Sequence, residues 1–232
     1  SGVAAAVPWA AEVDRIAVVW ESGGGYRVAD APVSDVEIAR GRDLAGRPTD
    51  VVKINLTKCE SAPLSAEHVR EYHLRGALAR AVQSAGAMER VLALAVQYAG
   101  ERVQFGRALA RFQAIQHLVA DIASEVALAN AAVDAAVVEI SSGRDDLDRL
   151  ELSVAIARSV VGHAASVVVR NAHQVHGAIG TTLEHKLHEL TKPILAWRME
   201  FGSLREWDMR LTERITQSGI DLWSFGVATH RP

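Results

Sequence analysis

The rhythm of hydrophobic and polar positions changes near Pro63. Upstream, β-branched residues alternate with polar ones from Asp14 to Trp20, from Tyr26 to Ala29 and from Asp50 to Leu56, with turn-forming residues between the runs. These runs predict antiparallel strands, and Glu21-Ser22-Gly23-Gly24-Gly25 predicts the hairpin turn joining the first two. Downstream the apolar spacing becomes three and four. Ser65 offers an N-cap for a helix from Ala66 to about Tyr98. Phe112, Ile115, Val119, Ile122, Val126, Ala129, Val133 and Val137 trace the apolar stripe of a second helix, which Ser141-Ser142-Gly143 ends. Leu152, Ile156, Val160, His163 and Val167 mark a third, from about Leu147 to Val175, stopped at Gly177-Ala178-Ile179-Gly180. Shorter helical stretches follow from Leu183 and over Leu204 to Ile215. The pattern predicts a mainly α protein: a small antiparallel β-domain over residues 1–62, then a four-helix bundle with up-down connections over 63–232.

Composition narrows the function. The 232 residues are 49% hydrophobic and 23% charged, ample for a packed core. Few aromatics among many alanines and valines predict closely approaching helices. A net charge of −3 removes the basic footprint that nucleic-acid binding needs. One cysteine, Cys59, allows no internal disulfide and suits a reducing compartment such as the cytoplasm. Runs such as Ala164 to Val169 are too short to span a bilayer, and no basic residue precedes the apolar patch at Val3 to Ala6, so neither a membrane span nor a secretory leader is expected.

Three groups of residues carry candidate chemistry. Arg102-Val103-Gln104-Phe105-Gly106, followed by Arg111-Phe112-Gln113, falls between the first two long helices. Such a corner presents a guanidinium fork and backbone N–H groups to a phosphate, or serves as a solvated, capped turn. In Gln174-Val175-His176-Gly177-Ala178-Ile179-Gly180, glycines let backbone amides approach a ligand, though glycine also simply ends helices. The pairs His173/His176 and His185/His188 stand three apart, a metal-compatible spacing, but no nearby thiols or carboxylates complete a ligand shell, so no metal is expected. The triple glycine lacks the Lys-Ser/Thr of a phosphate loop.

Taken together, these groups resemble the C-terminal half of the acyl-CoA dehydrogenases. Tyr98-Ala99-x-x-Arg102-x-Gln104-Phe105-Gly106-Arg107-x-Leu109-x-x-Phe112-Gln113-x-x-Gln116 is similar to that family's Tyr-Ala-x-x-Arg-x-x-Phe-Gly signature, and Gln174-x-x-Gly177-Ala178-x-Gly180 to its Gln-x-x-Gly-Gly-x-Gly, with Ala178 in place of the second glycine. The resemblance runs from about Ser65 to Ile215, and upstream only Val7 to Val19 resemble strands of the family's β-domain. It implies an FAD enzyme that oxidises an acyl-CoA thioester across its α and β carbons and passes electrons to an electron-transfer flavoprotein, with a carboxylate as base. Arg102, Gln104, Phe105 and Gln113 would meet the diphosphate side of an FAD shared between subunits, and Gln174, Gly177 and Ala178 would complete that pocket. The base positions depart from the family: ungapped counting places Phe201 at one and Gly76 at its alternative, and neither takes a proton. Glu200 becomes a base only if the register shifts by one residue. The resemblance therefore implies the non-catalytic subunit of a heteromeric α2β2 enzyme of the actinobacterial steroid type, acting on a steroid CoA ester. Its alternatives are a homotetramer using Glu200 and a non-catalytic helical scaffold.

Overall fold

A computed structural model describes residues 2–143 and 146–218. The chain divides into two compact units after His73. The first holds β1 (Gly2–Pro8), β2 (Arg15–Ser22), β3 (Gly25–Pro32), β4 (Val36–Ala39), β5 (Thr49–Ile54) and β6 (Ser61–Leu64). They form two antiparallel three-stranded sheets, ordered β1-β5-β4 and β2-β3-β6. The three predicted strands are β2, β3 and β5, and the expected hairpin closes with Ser22 opposite Gly25. Gly23 and Gly24 sit at φ +62° and +80°, the two positive values a two-residue turn of this twist requires. β1, β4 and β6 escape the pattern because one is alanine-rich and the other two span four residues each, β6 with Pro63 inside. Buried Asp50 joins two loops, accepting from the backbone N–H of Ala11 (3.2 Å) and of Gly41 (3.1 Å).

The helices are α1 (Ala66–Glu101), α2 (Gln113–Ser141), α3 (Leu147–His176), α4 (Leu187–Trp197) and α5 (Leu204–Ser218). Ser65 caps α1, its Oγ accepting from His68 N at 3.2 Å, and Asp146 caps α3 through Asp148 N and Arg149 N. α5 starts in a reciprocal box: Ser203 N donates to the Glu206 carboxylate and Glu206 N to Ser203 Oγ. From Leu74 onward α1 shares one core with α2, α3, α4 and α5. Alanines are its spacers, with Ala77, Ala81, Ala95, Ala129, Ala136, Ala157 and Ala164 all fully buried, so helix axes approach closely and larger residues such as Met88, Ile122 and Trp207 fill what remains.

Four expectations need correction. In α2 the stripe holds through Ile122, Val126, Ala129 and Val133, but Ala136 then turns inward while Val137 is 38% exposed, because a 3.6-residue period takes the shorter step there. α3 has the expected extent and buries the expected Leu152, yet its main buried face is Leu150, Val154, Ala157, Val161, Ala164, Val168, Ala172 and Val175, with Ile156, Val160 and Val167 only half-buried and His163 facing solvent beside Asp208 at 3.0 Å. The stretch Leu147–Thr181 is long and apolar enough to cross a membrane, with mean hydropathy 1.7, although more than half of that window is buried among the other helices, which marks it as a core helix. α4 begins at Leu187 rather than Leu183, after a 3-10 turn over Gly177–Thr181.

Candidate functional site

α1 and α2 meet at a small hairpin. After Glu101 ends α1, Val103–Gln104 (β7) pairs with Arg107–Ala108 (β8), and Leu109 N returns to Arg102 O at 2.9 Å. The turn residues Phe105 and Gly106 both have positive φ, +53° and +79°. Glycine takes that conformation freely, whereas phenylalanine pays on the order of 1–3 kcal/mol, a strain typical of functional turns. The Phe105 ring is 89% exposed. Behind it, the Arg107 guanidinium lies 4.2 Å over the Phe112 ring, and Phe105 meets Phe112 edge-on. Arg102, Gln104 and Gln113 are also exposed, and their side chains make no hydrogen bond or ion pair among the described residues. This corner therefore presents the Arg102 guanidinium, two amides and most of the Phe105 ring to solvent, and the guanidinium and the amides have no partner among the described residues.

The second motif lies at the C-terminal end of α3. Gln174, Gly177 and Ala178 are exposed, and Gly177, at φ +62°, has open space where a Cβ would stand. Gly180 is buried so tightly that a Cβ there would come 2.8 Å from the Cβ of His176. The two motifs touch through rings. Tyr98, from the last turns of α1, stacks on His176 with centroids 4.7 Å apart, and His185 packs on the other two at 4.6 and 6.1 Å. His176 Nδ1 faces Ala172 O at 2.7 Å, while its buried Nε2 has no partner among the described residues. Burial pushes the His176 and His173 imidazoles below their ordinary range. Sequence spacing singled out the histidines as a metal question and missed this stack; the signal available was an aromatic residue in each motif. Among the described residues no group of three or more His, Cys, Asp or Glu could hold a metal.

The expected base positions lie together. Phe201 reaches back to α1, and its ring occupies the space where a Cβ on Gly76 would stand. Phe201 sits in the left-handed region at φ +54°, and Gly202 follows at +99°. Arg158, only 5% exposed on α3, fixes this turn: its guanidinium donates to the carbonyls of Trp197 and Arg198 (3.3 Å), Glu200 (2.8 Å) and Gly202 (2.9 Å). Burial lowers its pKa to about 10, with the nearby Glu200 charge opposing, so it remains a cation at neutral pH. Arg80 holds the Glu200 carboxylate at 2.6 Å. Trp207 Nε1 donates to Phe201 O at 3.1 Å, and Leu204 fills the space left by Gly162.

Comparison with known proteins agrees with this fold. Residues 72–205 match the family described as acyl-CoA dehydrogenase, C-terminal domain. Acyl-CoA dehydrogenase IpdE2 of Mycolicibacterium smegmatis is 36% identical over 139 residues, covering 60% of this chain and 42% of that protein. The chain thus spans well under half the length of this curated relative. Among solved structures, the ChsE4-ChsE5 complex from Mycobacterium tuberculosis superposes with a TM-score of 0.83 at 19% identity, over 93% of this chain and 59% of the other. The Tcur3481-Tcur3483 steroid ACAD gives 0.84 at 20% identity, over 94% and 60%.

Proposed function

Because the chain belongs to the acyl-CoA dehydrogenase family through its C-terminal domain, we propose that it is the non-catalytic subunit of a heteromeric, FAD-dependent acyl-CoA dehydrogenase. In this reading residues 1–62 belong to the family's β-domain and 63–232 form its helical bundle. The observation that carries it is the contrast within the motifs: the phosphate-side residues are exposed and uncommitted, while the base positions hold Phe201 and Gly76.

The residues fit the group. Arg102 offers a fork of N–H donors to a pyrophosphate, Gln104 and Gln113 offer amide donors, and Phe105 an apolar plane. The turn at Gly177 and Ala178 leaves its backbone open to a ligand's approach, with nothing where a Cβ on Gly177 would stand, while the Gly177 N–H itself is bonded to His173 O. Tyr98 stacked on His176 fixes the spacing of the two motifs. When bound, FAD supplies the hydride acceptor that no side chain can be. This chain's residues bind and orient its diphosphate and adenosine side, and a partner of the same family provides the carboxylate that takes the α-proton and the pocket for the acyl group. The assembly proposed is α2β2, acts on a steroid CoA ester in the cytoplasm and passes electrons to an electron-transfer flavoprotein; neighbours titled as a ChsE4-ChsE5 complex and as a steroid ACAD support the unlike partner and the steroid class. A self-sufficient enzyme would need Glu200 as base, and that carboxylate is held by Arg80.

The test is visible absorbance of the chain purified alone and co-expressed with an acyl-CoA dehydrogenase encoded beside it. The expected result is flavin in the pair only, lost on Arg102→Ala while the two proteins still co-purify. Flavin content unchanged by Arg102→Ala in every preparation would sink the reading.

A further inference from the structure

The turn from Trp197 to Trp207 is over-determined in a way that an empty base position does not require. Three glycines are used as sockets. Gly76 receives the Phe201 ring, Gly162 receives Leu204, whose Cδ1 would lie 2.6 Å from an added Cβ, and Gly202 lies under Trp207, whose Nε1 would be 2.9 Å away. The guanidinium of Arg158 binds four carbonyls of the same turn, and Arg80 reaches from α1 to Glu200. Phe201 is held in a left-handed conformation that strains a bulky residue, which persists only where the surroundings impose it. Interlocks of this kind resist rotamer change because the ring has no second place to go.

We propose that this turn is a fixed closure: the Phe201 ring fills the space beside Gly76 and leaves no room there for an acyl thioester. The inference rests on the reading above, in which those two are the positions of the base that takes the α-proton. It goes beyond a missing base, since loss of a carboxylate alone would leave a cleft that still binds acyl-CoA unproductively. Glu200 becomes a strut between Arg80 and the turn, and Arg158 a positioning residue for Phe201. An assembly of unlike subunits then binds one acyl chain per pair.

Octanoyl-CoA titrated calorimetrically into the purified chain, alone and with its co-expressed partner, tests this. The expected stoichiometry is zero for the chain alone and one per unlike pair, rising by one site with Phe201→Gly, which removes the ring and accepts the same backbone conformation. Saturable binding by the unsubstituted chain alone overturns the proposal, as does a Phe201→Gly protein that binds no more than its parent. Gly76→Ala checks the packing separately. In the parent it displaces the ring and lowers Tm, whereas in Phe201→Gly it raises Tm, because alanine is the better helix former once the socket is empty. Equal shifts in both backgrounds overturn the contact. Neither readout detects flavin, so a chain that never acquires FAD fails the functional reading while leaving this one measurable.

Discussion

Two parts of the helical unit, both built on left-handed phenylalanines, use that strain in opposite ways. At the α1–α2 corner Phe105 stands almost wholly in solvent, and the nearby Arg102, Gln104 and Gln113 are left without partners among the described residues. At the turn before α5, Phe201 packs against the core, its carbonyl accepts from Trp207, and the flanking carbonyls are collected by Arg158. Strain at the first site is offset by little more than one edge-on contact with Phe112, whereas strain at the second is offset by the many contacts it permits. The β2–β3 hairpin supplies a control, because it makes the same two-residue turn with Gly23 and Gly24 and needs no strained side chain. Open and committed residues are thus distinguished by what surrounds them and not by residue type.

That contrast is broken most directly at Arg158. Arg158→Ala strips several buried carbonyls of their donor and leaves a void, and the expected loss is about 3–5 kcal/mol of unfolding free energy, read by urea denaturation. A loss below about 1 kcal/mol would show the turn to be solvated rather than caged. Glu200→Gln is the smaller test. The pair with Arg80 is partly exposed, at 20% and 27% for the two side chains, so the expected cost is only about 1 kcal/mol after solvent screening. Turnover of the assembled enzyme should be unchanged, and abolished turnover would instead make Glu200 the base.

Acid sensitivity sharpens the other side. Burial depresses the imidazoles of His176 and His173, so the folded chain keeps them neutral while the unfolded chain takes up protons below about pH 6.5. Their contribution is complete above that pH and declines as pH falls through the depressed folded values. The midpoint of urea unfolding should therefore drop between pH 7.5 and 5.5, and by less in His176→Phe, which keeps a ring against Tyr98. An identical drop in both proteins would remove His176 from the account.

Much of the helical unit was readable in order along the chain. Ser65 announces the start of α1, since capping is satisfied within a few residues, and Asp146 and the Ser203/Glu206 box carry the same kind of local signal at α3 and α5, which the apolar pattern did not pick out. The motif at 98–116 falls at the junction of the first two long helices as expected, but the small hairpin there and the left-handed Phe105 were not legible in the pattern. The inward face of α3 was not, because its apolar residues outnumber the positions that can be buried and neighbouring helices select among them. The same holds for Val137 and Ala136.

What the sequence determined by itself is therefore local: strand and helix periods, glycine turns, caps, and the identity of the residues in the two motifs. Each depends on backbone hydrogen bonding and side-chain preference over a turn or two. What only the tertiary structure decided is which distant residues meet: Tyr98 with His176, Arg158 with the carbonyls before α5, and Phe201 with the bare backbone of Gly76. Those meetings are set by close packing in three dimensions, where a single missing Cβ is enough to admit a ring, and no period along the chain records them.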